Sequence, residues 1–122
     1  MKVLIVSRHP STQKLLASIL DKHGFEYDIV DHVDDVAILN KYDVIIGNVP
    51  LSLFVKATVQ YYIQVNLEIP KELRGKELDV SELSKYVSYI VFDHIVKWWD
   101  GHINCDIKHV NNIDEILEKI KG

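Results

Sequence analysis

Arginine is scarce in this chain, which carries twelve lysines but only two arginines, Arg8 and Arg74. Both lie in polar segments that follow apolar, β-rich runs. Arginine's planar fork of donors suits a two-bond grip on a phosphate, and it stays charged at any working pH. The plainer role for either residue is a weak surface ion pair with one of the 18 acidic residues. Arg8 belongs to Ser7-Arg8-His9-Pro10, directly ahead of an amphipathic stretch. A helix beginning there would offer free amides and the positive end of its dipole to an anion, with Arg8, Ser7, Pro10 and Ser11 around it. The segment matches neither a P-loop nor a dinucleotide fingerprint, which lowers nucleoside triphosphates and NAD in rank. His9 has a reference pKa of about 6.5 and is a candidate general acid or base. A histidine that caps the helix is an even alternative.

Two further segments carry polar groups after strand ends. Gly47-Asn48-Val49-Pro50 offers Asn48 as a hydrogen-bonding partner for a ribose or phosphate, and an ordinary turn role is at least as good a reading. Pro70-Lys71-Glu72-Leu73-Arg74-Gly75-Lys76-Glu77-Leu78 is long for a simple connection, as lids and binding loops are. A solvated mixed-charge surface is its alternative. His9, His32 and His109 all fall at expected strand carboxyl ends, but no ligand pair has metal-site spacing, and neither metal nor cofactor is expected. His23 and His102 belong to the opposite edge and His94 to a helix. Trp98-Trp99 invites a base-stacking role. Its expected place, at the end of a crossover helix far from the site, favours core packing or an oligomer anchor instead.

The elements that must position these groups follow from hydrophobic periodicity. Strands are expected at Lys2 to Ser7, Glu26 to Asp31, Asp43 to Gly47, Tyr61 to Leu67 and Ile103 to Val110. Leu15, Leu16, Ile19, Leu20 and His23 recur at helical spacing, with Ser11 as N-cap and Gly24 as terminator. Asp79 and Glu82 in capping-box relation open a long helix that carries Val80, Leu83, Val87, Ile90, Val91 and Trp98 on one face. A last helix starts near Asn112, and shorter ones are drawn at Asp34 to Lys41 and Pro50 to Thr58. The alternation implies one α/β domain over residues 1–122, a Rossmann-like or flavodoxin-like three-layer fold with a mainly parallel five-stranded sheet. Pro10, Pro50 and Pro70 mark the edge where the chain leaves the sheet, and ligands of open parallel sheets bind at that carboxyl edge.

Composition narrows the partners. The net charge of −4 argues against general DNA or RNA binding, so phosphate recognition must be local. A single cysteine, Cys105, excludes an internal disulfide and suits a reducing compartment. The apolar start is too short for a signal core or a membrane span, so the cytoplasm is the expected location. An aspartate is missing at the end of strand three and an acidic pair after strand one, which excludes a response-regulator receiver. Flavodoxin is disfavoured because no Ser/Thr- and Gly-rich loop follows strand one.

Taken together, Ser7-Arg8-His9-Pro10, the run from Asp43 to Pro50 and the run from Leu67 to Leu78 resemble the CRISPR-associated Csx-sixteen family, small proteins found with type III systems. The Pro-x-Glu-Leu-Arg-Gly-x-Glu-Leu run is the most specific of the three, and the similarity covers roughly the first two thirds of the chain. Ser11 stands where the family often has glycine, and Asn48 where a small residue or threonine is usual. The family is associated with ring nucleases, which linearise cyclic oligoadenylate messengers. The resemblance implies a phosphodiesterase for cyclic tetraadenylate in which a ribose 2′-hydroxyl attacks its neighbouring phosphate without a metal. Arg8, His9 and Arg74 are then the catalytic candidates, and Ser7, Pro10, Ser11, Gly47, Asn48 and Lys71 the ligand-binding ones. A four-fold repeated ring suggests a homodimer with the ligand across its two-fold axis. A non-catalytic sensor or sponge, or an enzyme for another small phosphorylated nucleotide, are the alternatives.

Overall fold

The segment Val3 to Val6 is an unbroken apolar run, the pattern of a strand covered on both faces. The computed structural model, which describes residues 1–121, places it inside a six-stranded sheet, one strand in from the edge, as β1 (Lys2–Val6). Around it lie β2 (Glu26–Val30), β3 (Val44–Gly47), β4 (Tyr61–Leu67), β5 (Val87–Lys97) and β6 (Ile103–Val110), in the order β2-β1-β3-β4-β5-β6. The first four strands are mutually parallel, while β5 runs antiparallel to β4 and β6 antiparallel to β5. The chain adds β2 on one side of β1 and β3 on the other, so a switch in strand order lies between β1 and β3.

Helices cover both faces. On one, α1 (Pro10–Lys22), α4 (Val80–Leu83) and α5 (Asp114–Lys121) pack Leu16, Leu20, Leu83 and Leu117 onto Val3, Ile5, Ile46 and Ile63. On the other, α2 (Val36–Leu39) and α3 (Leu51–Phe54) bring Leu39 and Phe54 onto Leu4, Ile45 and Tyr62. Each fully buried Leu or Ile contributes roughly 1.5–3 kcal/mol relative to exposure.

Three expectations need correction. The sheet is mixed and six-stranded, where a mainly parallel five-stranded one was expected. The long helix from Asp79 to Trp98 does not form. Asp79 does cap α4, accepting from the Glu82 amide at 2.8 Å, but α4 ends at Leu83 and a short 3-10 turn leads into β5. In β5 the buried residues Val87, Tyr89 and Val91 alternate with partly exposed ones, the period of a strand, and the run is rich in β-branched residues. His94 is therefore a strand residue, at a bulge and with φ of 48°, and Trp98-Trp99 begins a hairpin turn outside the core. The N-cap of α1 is His9, one residue ahead of Pro10, and not Ser11.

At the edge opposite the strand carboxyl ends, α1 is tied to α5 through His23, which is 7% exposed. Its Nε2 lies 2.7 Å from Asp114 and its Nδ1 2.7 Å from Glu118. Both ring nitrogens can donate to carboxylates only when the ring is protonated. These hydrogen bonds to Asp114 and Glu118 raise the His23 pKa, and the His23 bond lowers that of Asp114. Among the described residues, no helix is long and apolar enough to cross a membrane.

Candidate functional site

The segment after β1 is held by its own side chains. Pro10 at the first helical position fixes the backbone angle there and needs no amide partner. His9 Nδ1 accepts from the Thr12 amide at 3.2 Å and lies 2.9 Å from the buried Thr12 hydroxyl. With Nδ1 accepting, the neutral ring carries its proton on Nε2. The His9 amide donates to Ser7 Oγ at 3.2 Å, and the Gln13 amide to the His9 carbonyl at 3.0 Å. Among the described residues this leaves the Ser11 amide as the open donor of the first turn, so the helix end itself offers an anion little. Arg8 is exposed and makes no ion pair within 4.0 Å among those residues.

Neighbouring loops are tied to this one. The Ser7 amide donates to the Val30 carbonyl at 3.1 Å, prolonging the β1–β2 pairing. Gln13 Nε2 bridges the Ser7 carbonyl, at 2.6 Å, and Asp31 Oδ1, at 3.2 Å. On the other side, Gly47 has φ of 140°, and a Cβ there would lie 1.9 Å from the Val6 carbonyl oxygen. Only glycine lets β3 leave the sheet this close to β1. The Asn48 amide then donates to the Val6 carbonyl at 3.1 Å. Buried Tyr62 reaches up from β4: its hydroxyl accepts from the Val49 amide at 3.1 Å and donates to the Gly47 carbonyl at 3.4 Å. Burial raises its pKa, and its ring stacks on Phe92 at 5.4 Å.

These loops enclose a cleft of about 560 Å³ at the β1/β3 switch. Ser7, Arg8 and His9 form one wall, Asp31, His32 and Asp34 a second, and Asn48 and Pro50 a third, over a floor that includes Val6, Val33, Val49 and Val65. An adjoining hollow of about 190 Å³ separates Pro10 and Ser11 from Ile69, Lys76, Glu77 and Leu78 of the long segment after β4, with His9 bordering both. Ser7, Arg8, His9 and Asn48 thus meet in one cleft, with Pro10 and Ser11 beside it and Gly47 among the buried residues beneath. Lys71 and Arg74 are exposed on the segment after β4 and line neither space; Arg74 Nε donates to the Ile69 carbonyl at 3.3 Å.

His32 shares the cleft with His9 and pairs with Asp34 at 3.3 Å, but His109 lies on β6 at the far side of the sheet. Among the described residues, the group with ligand atoms close enough to share a cation is Asp93, His94 and Asp106, on the β5–β6 hairpin. Sequence reasoning missed Asp31, Asp34, Gln13 and Tyr62. An acid directly after the second strand was a readable signal for the first, and a tyrosine within an otherwise apolar strand hints at a buried hydroxyl contact. Nothing in the sequence marks Gln13.

A mixed α/β fold with a cleft at a strand-order switch has its cleft where open α/β sheets bind their ligands. The chain belongs to the family described as "Putative CRISPR-associated protein (Cas_VVA1548)", whose family model matches residues 4–94. That span contains every residue of the cleft and bears out the CRISPR-associated assignment reached from the sequence motifs. No curated protein matches the chain. A crystal structure of a HypX variant from Aquifex aeolicus is similar at 14% identity with a TM-score of 0.49, over 99% of this chain and 26% of that one. The chain spans about a quarter of that protein's length, and nothing about activity follows from the likeness.

Proposed function

We propose that this chain is a ring nuclease that opens cyclic oligoadenylate, with cyclic tetraadenylate as the first substrate to test, and so switches off type III CRISPR signalling. The observation that carries the reading is the cleft, where an unpaired arginine, an imidazole N–H and an asparagine surround an apolar floor at the sheet's switch point. In the proposed reaction, the 2′-oxygen of one ribose bonds to the adjacent phosphorus and the bond from phosphorus to the 5′-oxygen breaks. The proton lost from the 2′-hydroxyl is balanced by one gained at the departing 5′-oxygen. The products are linear oligoadenylates with 2′,3′-cyclic phosphate and 5′-hydroxyl ends. Because the substrate brings its own nucleophile, the protein must align it and stabilise charge on the phosphoryl oxygens. Arg8 and the Nε2–H of His9 supply donors for that charge, and the Ser11 amide borders the same loop. Arg74 and Lys71 lie outside the cleft, so they take part only if the segment after β4 folds inward over the bound ligand.

A cleft of about 560 Å³ suits a nucleotide unit or so better than a whole ring, which supports a homodimer whose two clefts share one ligand. Incubation with cyclic tetraadenylate in excess EDTA should yield products with 2′,3′-cyclic phosphate ends. Loss of cleavage on chelation would overturn the metal-free mechanism. A second reading, a sensor or sponge that binds the ring without cutting it, is favoured by the engagement of His9 Nδ1 in the helix cap, which leaves no obvious proton acceptor on that ring. Recovery of intact ring after long multiple-turnover incubation supports that reading. Turnover of another small phosphorylated nucleotide in preference to the ring supports the third.

A further inference from the structure

The cleft contains acids that a site for a bare phosphate would avoid. Asp31 and Asp34 line the same space as Arg8, and a carboxylate accepts hydrogen bonds but repels a neighbouring phosphate. Asp34 has a basic side chain within reach, His32 at 3.3 Å. Asp31 has none within 4.0 Å among the described residues, and only its Oδ1 is engaged, by Gln13 at 3.2 Å. Among the described residues Oδ2 therefore accepts nothing. A ligand that suits this wall must bring a hydroxyl or amine donor as well as a phosphate.

The register says where that donor belongs. Val6 of β1 pairs with Val30 of β2, so Ser7 and Asp31 leave the sheet side by side, on strands about 4.8 Å apart. The Ser7-to-Val30 hydrogen bond and the Gln13 bridge keep the two exits in fixed relation. Sugar and phosphate are adjacent groups in a nucleotide, and in related βαβ architectures an acid at the end of the second strand binds the ribose while the phosphate lies at the first helix.

We propose that Asp31 forms a ribose subsite: its carboxylate accepts a hydrogen bond from the 2′-hydroxyl of a nucleotide whose phosphate is held by Arg8, and makes the cleft selective for ribonucleotides over deoxyribonucleotides. The inference rests on the nucleotide reading of the cleft. In a ring joined through 3′ and 5′ oxygens, the 2′-hydroxyl is the sugar hydroxyl left free, so Asp31 orients the group that the proposed reaction uses. Gln13 acts through Asp31 as a positioning residue, holding one carboxylate oxygen so that the other faces the cleft.

The test compares cyclic tetraadenylate with its all-2′-deoxy counterpart, on wild type, Asp31→Asn and Asp34→Asn, with thermal unfolding as a folding control. Affinity is read as Kd for the deoxy ring, and for the ribo ring as KM, or as Kd where it is recovered intact. Asp31→Asn should weaken the ribo ring by at least about tenfold, as loss of a hydrogen bond to a charged group does. The same change should tighten the deoxy ring, because a charge that repels phosphate is gone and no hydroxyl contact is lost. Gln13→Ala should move the ribo ring alone, by a smaller factor. A ratio of the two affinities that is unchanged in Asp31→Asn, or moved equally by Asp34→Asn, overturns the subsite while leaving ring binding standing. If wild type binds neither ring, the nucleotide reading fails and the subsite falls with it.

Discussion

At the carboxyl end of the parallel strands, exposed polar side chains stand on backbone that is tied from behind. Gly47, Thr12 and Tyr62 are all buried beneath Arg8, His9 and Asn48. At the other end the β5–β6 hairpin runs past β4, which pairs only as far as Phe92. It presents Val96, Trp98 and Trp99 to solvent, with Trp99 97% exposed. It is tied to the body by Ile95, which packs on the core, and by Lys97, whose ammonium donates to the Phe54 and Ala57 carbonyls and lies 4.5 Å from the centre of the Phe54 ring. Desolvation lowers the Lys97 pKa. The difference teaches that the shape of the cleft comes from groups under the loops, while the visible aromatics of the hairpin hold nothing in place. Changes to hidden residues at the first edge should therefore cost more than changes to large residues at the second.

Gly47→Ala is the harshest test. A Cβ 1.9 Å from the Val6 carbonyl, on backbone with φ of 140°, must push β1 and β3 apart. The variant should lose at least about 3 kcal/mol in chemical denaturation or fail to fold. Wild-type stability would mean that the strand exits are looser than described. Tyr62→Phe comes next. It removes the hydroxyl that bridges Val49 and Gly47 and leaves ring packing intact, so it should cost about 1–2 kcal/mol and weaken ligand binding along with stability. Unchanged binding would show that the third wall of the cleft holds its place without it.

His23 gives a smaller, pH-dependent effect at the second edge. Its folded pKa is raised above the ordinary 6.5, so the stabilisation is fully present below that value and is lost as pH rises through the raised one. The pKa of Asp114 is lowered from 3.8, so the same contact is also lost in acid, as pH falls through that lowered value. The Tm difference between wild type and His23→Gln should be greatest at about pH 5–6 and shrink toward pH 9. A difference constant across that range would contradict the doubly bonded imidazolium. Smallest of all is Trp99→Ser, expected within about 0.5 kcal/mol of wild type because the ring is almost fully exposed. A larger loss would show that the hairpin tip packs against something, a second copy included.

The same contrast explains what could be read from the sequence. β1 and β3 are covered on both faces, so Val3 to Val6 and Val44 to Ile46 are continuous apolar runs bounded by turn residues, and they were recognisable as strands. β5 is also a strand, but Ile90, Phe92 and Ile95 on its second face are apolar as well as Val87, Tyr89 and Val91 on its first. Apolar residues on both sides of a two-residue period fill in a helical stripe, and the Asp79 cap, which does start a helix, extended the misreading. Arg8 was legible because arginine is rare here and its position follows a strand. The role of Gly47 was not, because the approach of Val6 that requires it is a tertiary fact. Likewise, His9 could be seen beside the helix start, but only the Thr12 contacts decide which ring nitrogen is taken up by the cap and which is left free.

The central claim is that Arg8 in the β1/β3 cleft stabilises charge during cleavage of a cyclic oligoadenylate. Single-turnover cleavage of cyclic tetraadenylate in EDTA, by folded wild type, Arg8→Ala and Arg8→Lys, tests it most directly. Arg8→Ala should lose about a hundredfold or more, as removal of one preorganised donor produces, and Arg8→Lys should rescue it only in part, since a point charge lacks the forked contact. Cleavage by Arg8→Ala at the wild-type rate would contradict it.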